Sequence, residues 1–174
     1  MSGETVLFLT VRLLHILLAA LWLGGMAFIV FFGMPAHAKV GTATAPLMGA
    51  MARRDVNAFM NAVGGLTVVG GFWLYWHLTG GFQPALSRTM AARVFGTGGL
   101  AGLIALIIGG AVVSRSGKKM GDLGAKALAL PDGPERTRLL AESAAAGRRA
   151  TTWAFAMLVL QIIALSLMAV GHYV

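Results

Sequence analysis

The chain of 174 residues is long enough for one domain. Hydrophobic residues make up 57% of it and charged residues only 11%, whereas soluble domains carry roughly a quarter charged residues. This composition excludes an ordinary soluble enzyme and a disordered or fibrous chain. The absence of cysteine excludes disulfides, thiolate metal sites and a cysteine nucleophile. The net charge of +8 fits basic residues that flank membrane helices better than it fits a nucleic-acid surface.

Four apolar stretches reach the roughly 20 residues that cross a bilayer core. They cover residues 6–34, 56–78, 94–113 and 152–170, and none contains Asp or Glu. They lack the alternation of barrel strands. The predicted fold class is therefore all-α, an integral membrane four-helix bundle in one domain of residues 1–174. A signal peptide cleaved after Ala36-His37-Ala38 is the alternative for the first stretch, but that stretch exceeds a signal core of ~7–15 residues and no basic region precedes it.

The basic residues are distributed asymmetrically. Three basic residues lie on the side of the membrane that holds the termini and the second loop. Eleven lie in the first and third loops, on the other side. Because positively charged loops stay in the cytoplasm, both termini are predicted to face outward from a bacterial inner membrane. The three are Arg12, Arg88 and Arg93; the eleven are Lys39, Arg53, Arg54, Arg115, Lys118, Lys119, Lys126, Arg136, Arg138, Arg148 and Arg149.

The segment of residues 114–151 contains a strong turn pattern, Pro-Asp-Gly-Pro, within LALPDGPERTR. Asp132 is the expected N-cap of a helix with Pro134 in its first turn. The third helix is therefore predicted to continue into the cytosol towards Leu128, and the fourth to begin near Pro134 and enter the membrane unbroken. Such a basic hairpin anchors the protein at the membrane surface or docks an acidic partner.

Small residues mark the expected helix contacts, because helices in lipid associate where their backbones approach closely. Gly98 and Gly102 form a GxxxG motif, which Ala105 and Gly109 continue. This seam packs the bundle, or it joins the chain to a second copy or to another subunit of a membrane complex.

Three histidines are predicted at similar depth near the outer face: His15, His77 and His172, with only His37 on the inner side. Ionisable residues within a membrane are costly and are candidates for function. Neutral imidazole is a common ligand of haem iron and of copper.

A b-type haem needs two axial nitrogens that face each other and a gap between helices. His15 is the expected first ligand, and His77 or His172 the second. Gly70 and Ala19 would leave room for the macrocycle. Arg12, three residues before His15, would pair with a haem propionate. The candidate cofactor-binding residues are His15, His77, His172, Arg12 and Trp22.

Copper is the alternative, because copper(I) favours thioether and imidazole ligands. Met168 and His172 are four residues apart and share a helix face. The candidate metal ligands are His15, His77, His172 and Met168. The remaining polar membrane residues, among them Asn57, Asn61 and Gln161, are expected to form hydrogen bonds between helices. An ion-driven transporter is disfavoured because the apolar stretches contain no carboxylate.

The pattern His15-x6-Trp22-Leu23-Gly24-Gly25 resembles the start of the CopD-like and DUF2269-type four-helix membrane proteins. Pro35, the pair Arg53-Arg54, the glycine-rich third helix, the long basic loop and the ending MAVGHY extend the resemblance over nearly the whole chain. More distantly, His15, Trp22 and the following glycine resemble the HemJ-type protoporphyrinogen oxidase group. The CopD-like resemblance implies copper uptake or resistance, and the HemJ-type resemblance implies a b-type haem in a four-helix bundle.

Three function hypotheses follow from the sequence. The leading one is a haem b-binding membrane protein for electron transfer or redox chemistry. The second is a copper-handling membrane protein that uses His15, Met168 and His172. The third is a structural or accessory subunit that has no cofactor and binds a membrane partner.

Overall fold

The structure is a computed structural model that describes residues 2–40 and 55–174, and all regular structure in these residues is helical. Four helical runs are long and apolar enough to cross a membrane, which confirms the four predicted helices. Arg53 and Arg54 lie outside the described residues. The elements in chain order are α1 (Gly3–Phe28), a π-helical turn (Ile29–Gly33), α2 (Met34–Val40), α3 (Val56–Leu78), α4 (Pro84–Ser87), α5 (Met90–Ile108), a second π-helical turn (Gly109–Ser114), α6 (Arg115–Leu128) and α7 (Pro134–Val170).

The long helices form an antiparallel bundle in which α3 packs against α1 and α5, and α7 packs against α5 and α6. We call the end that holds Ser2, Val174 and the connection from α3 to α5 the terminal end. The opposite end, where α6 and α7 form a hairpin, is the hairpin end. The third run begins at Met90, four residues before the apolar stretch, because the Thr89 side chain caps it by accepting a hydrogen bond from the Ala92 amide.

The predicted helical hairpin is confirmed in its bounds, but the predicted cap is wrong. Helix α6 ends at Leu128, and α7 runs unbroken from Pro134 to Val170. Gly133, in extended conformation, occupies the N-cap position and makes no side-chain bond. Asp132 therefore lies one residue too early to cap the helix, and its carboxylate accepts a hydrogen bond from Arg136 instead.

Helices α1 and α3 are joined by large side chains that fit against glycines of the facing helix. Trp22 lies against Gly64, where a Cβ atom would be only 2.6 Å from the indole Cε2. Seven residues away on both helices, the His15 ring lies against Gly71, where a Cβ atom would be 2.8 Å from Cε1. Because seven residues make about two helical turns, the two contacts repeat along one seam.

Helices α5 and α7 form the second close seam, which uses Gly98, Ala105 and Gly109 of the predicted stripe but not Gly102. Gly98 contacts Leu167 and Met168, and the buried Ala101 and Ala105 continue its face of α5. A Cβ atom at Gly102 would have nothing within 4 Å, so this half of the GxxxG motif lies outside the seam. The seam thus follows spacings of three and four residues, which keep a stripe facing one neighbour better than a strict spacing of four.

Polar side chains within the bundle follow the predicted pattern only in part. The Asn61 amide donates to the Ser114 hydroxyl at 3.1 Å, which confirms one hydrogen bond between helices. Gln161 is buried at 4% exposure, and both its amide atoms lack a hydrogen-bond partner among the described residues. Asn57 is exposed. For Gln161 the expectation was wrong, since its immediate surroundings are apolar, including Met157 and Leu158 one turn away on its own helix.

Candidate functional site

His15 is held between α1 and α3 near the terminal end. Its ring is half-buried, and Nδ1 lies 2.8 Å from the backbone oxygen of Thr67. Because a carbonyl oxygen can only accept, Nδ1 carries the proton and donates it. In the neutral imidazole this leaves Nε2 unprotonated, with a lone pair that can bind an electrophile.

The space that Gly70 and Gly71 leave beside α1 is filled by the His15 side chain itself. A Cβ atom at Gly70 would lie 3.7 Å from the His15 Cβ, and one at Gly71 would lie within 3.6 Å of three ring atoms. The prediction that Gly70 leaves a gap for a macrocycle on this seam is therefore wrong, because the His15 side chain occupies that space. The glycines serve to bring the two helices together around the ring.

Arg12 and His172 join α1 to the end of the chain. The Arg12 guanidinium nitrogen lies 2.7 Å from His172 Nε2. A guanidinium only donates, so the imidazole accepts through Nε2. The His172 ring also meets the Phe95 ring edge-on, with centroids 5.1 Å apart, and Gly171 lets Phe95 approach the backbone. Arg12, expected to pair with a propionate, thus has a partner within the chain.

His77 belongs to a separate group of side chains at the rim of the bundle. Its Nδ1 lies 3.3 Å from the backbone oxygen of Trp73, and its ring stacks against the Trp73 ring with centroids 3.9 Å apart. It opens into a shallow groove that Glu4, Thr5 and Phe8 also line.

The prediction that the three histidines share one depth is wrong for His77. His15 lies beside Gly71, and His77 follows that glycine by six residues, or about 9 Å of helix. Two nitrogens on opposite sides of one metal ion, each ~2 Å from it, are only about 4 Å apart. His172 is closer in level, because it binds Arg12, which is one turn from His15 on α1.

Comparisons with models of known families, with curated proteins and with solved structures gave no match to this chain. The resemblance to CopD-like and HemJ-type proteins therefore stays a prediction.

The two remaining candidate residues, Trp22 and Met168, pack against glycines elsewhere in the bundle. Trp22 is two helical turns deeper than His15, is only 4% exposed, and packs in the core against Gly64. Met168 lies with its methyl group against Gly98, on the side of α7 that faces α5. Within residues 2–40 and 55–174, no three side chains of His, Cys, Asp or Glu are grouped so as to hold a metal ion.

Two of the three histidines at the terminal end present ring nitrogens of the kind that ligate haem iron. His15 presents an unprotonated Nε2 with its other nitrogen fixed by a backbone carbonyl, the arrangement common to metal-bound histidines. His172 has its Nε2 lone pair directed at a cation rather than at a backbone group. A propionate that attracted Arg12 would release this lone pair. His77 does not fit as the partner of His15.

Sequence reasoning missed the bond between Arg12 and His172 and the acceptor role of Thr67. One pattern in the sequence points to the first seam. His15 and Trp22 are seven residues apart on one helix, and Gly64 and Gly71 are seven apart on the next. Two large residues and two glycines with equal spacing predict an antiparallel contact in which each ring faces a glycine.

Proposed function

We propose that the protein binds a b-type haem near the terminal end and serves in electron transfer in the membrane. His15 and His172 would hold the haem iron, and Arg12 would neutralise a propionate. Bound haem would supply a one-electron Fe³⁺/Fe²⁺ couple. The observation that carries the proposal is the His15 hydrogen bond to Thr67, which fixes the tautomer and presents Nε2 as a ligand.

The chain's own residues would perform three tasks in such a site. The α1–α3 seam fixes the ring of His15 between two backbones. Arg12 carries a positive charge beside exposed leucines of α1, Leu9 and Leu13, where it would attract a carboxylate. Phe95 restricts the ring orientation of His172.

Absorption spectroscopy of the purified full-length protein tests the proposal. We expect a Soret band and sharp reduced α and β bands after dithionite, typical of six-coordinate haem, with about one haem per chain by the pyridine haemochrome assay. The protein should be made in cells supplied with haem. If it is then colourless, and if its absorption spectrum does not change when hemin is added, haem binding is refuted.

Copper(I) handling is the second candidate, and one observation favours it. Met168 and His172 both contact α5, at Gly98 and Phe95, so a thioether from α7 and an imidazole from the residues that follow it lie beside the same helix. A copper(I) ion at His172 Nε2 would be repelled by the Arg12 guanidinium that already lies there, and for this reason we prefer haem. A colourless protein that binds copper(I), and binds it more weakly after Met168→Leu, would reverse this order. A protein with neither cofactor that co-purifies with a membrane subunit would point to the accessory role.

We also propose that both termini face outward from a bacterial inner membrane and that the hairpin end lies in the cytosol. The charge asymmetry of eleven basic residues to three supports this orientation. Alkaline phosphatase fused after Val174 is expected to be active and green fluorescent protein at the same site to be dark. A fluorescent fusion after Val174 would contradict the orientation.

A further inference from the structure

The ion pairs of the α6–α7 hairpin lie within residues 132–142, the part nearer its tip. Arg136 pairs with Asp132, and Arg138 pairs with both Glu135 and Glu142. All six acidic residues of the chain lie within the described residues, and none of them pairs with the cations nearer the membrane-spanning stretches. Those unpaired, exposed cations form what we call the basic collar: Arg115, Lys118, Lys119, Arg148 and Arg149.

The basic collar lies where the apolar stretches end. Arg115 follows the apolar stretch of residues 94–113 by two positions, and Arg149 precedes residues 152–170 by three. Trp153, four residues after Arg149, is 40% exposed, and an exposed tryptophan favours the boundary between hydrocarbon and headgroups. The five cations are therefore at the depth of lipid headgroups.

Within the collar, two cations flank a groove between α6 and α7. Ser116 and Lys119 line it from α6, and Glu142, Ala145, Ala146 and Arg149 line it from α7. The groove has a volume of about 260 Å³. Ser116 is buried, and the small side chains of Ala145 and Ala146 leave space on the α7 side of the groove. Glu142 is the one carboxylate in the lining, where Lys119 and Arg149 outnumber it, and it accepts a hydrogen bond from Arg138 at 2.6 Å.

We propose that this groove binds the phosphate of an anionic phospholipid from the surrounding leaflet. Lys119 and Arg149 provide the positive charge, and the Ser116 hydroxyl provides a further donor. A lipid fits better than a free anion because the exposed, apolar ring of Trp153 lies one turn beyond Arg149 on the same face of α7, where an acyl chain can lie against it. This proposal is independent of haem binding.

The test compares two double variants of the full-length protein in detergent. Lys119→Gln with Arg149→Gln removes the cations of the groove. Lys118→Gln with Arg148→Gln removes the same charge from neighbouring exposed positions outside the groove. All four side chains are exposed, so both variants should keep the helical content and the thermal unfolding of the parent. Fluorescent phosphatidylglycerol is the probe, phosphatidylcholine the neutral reference and inorganic phosphate the competitor.

We expect phosphatidylglycerol to bind the parent protein at least about tenfold more tightly than phosphatidylcholine, since each interfacial cation attracts anionic lipid. The groove variant should lose most of this preference, and the control variant should keep it within about threefold. Equal losses in both variants would overturn the groove and leave only diffuse attraction. Absence of any preference would overturn the site, and displacement by millimolar inorganic phosphate would assign the groove to a free anion.

Discussion

His15→Ala is expected to abolish haem binding. The substitution removes an imidazole that lies between α1 and α3 and whose tautomer is fixed by its hydrogen bond to Thr67. Loss of a residue that merely orients a metal ligand costs about 10- to 100-fold in affinity, so loss of the ligand itself should cost at least as much. The measurement is haem content per chain and the reduced α band of protein purified in parallel with the parent.

A matched comparison makes this result specific. His77→Ala should keep the haem spectrum, because His77 stacks on Trp73 about 9 Å of helix beyond the level of His15. His172→Ala should keep some haem but shift it from six- to five-coordinate. His15→Gln preserves a side-chain amide that can donate to Thr67 and therefore separates loss of the ligand from loss of the helix contact. Haem lost in His77→Ala and kept in His15→Ala would refute the assignment.

The fold could be predicted from the sequence because it depends on the length and total hydropathy of whole segments. Apolar stretches of sufficient length predict spanning helices whatever their neighbours are. The ends of the hairpin at Leu128 and Pro134 follow from a local rule, since the turn residues act on the adjacent backbone. The cap at Asp132 failed on a single residue, because Gly133 took an extended conformation and occupied the capping position.

The site was less accessible because it depends on which residues face each other across helices. Depths counted from the ends of apolar stretches placed His77 level with His15, but the register of α1 against α3 is set by Trp22 and Gly64. Likewise, Arg12 contacts His172 because the chain continues past α7 and the His172 ring packs against Phe95. Such contacts are properties of packing between segments distant in sequence.

Gly64→Ala is expected to lower the stability of the bundle markedly. The added Cβ would lie 2.6 Å from Cε2 and 2.8 Å from Cζ2 of Trp22, and that indole is buried at 4% exposure within the core. Helices α1 and α3 must then separate. Overpacking of this kind costs about 1–3 kcal/mol. In a chain of this size that lowers Tm by roughly 3–10 °C, measured by thermal unfolding in detergent.

Gly65→Ala provides the control one residue away. A Cβ atom at Gly65 would have nothing within 4 Å, so the variant gains only the higher helix propensity of alanine, up to about 1 kcal/mol. Equal Tm values for the two variants would show that the Trp22–Gly64 contact does not hold the helices together. Because Gly64 and Gly71 belong to one rigid helix, separation at Trp22 also withdraws α3 from His15. Gly64→Ala should therefore weaken haem binding without touching a ligand, and Gly65→Ala should leave it unchanged.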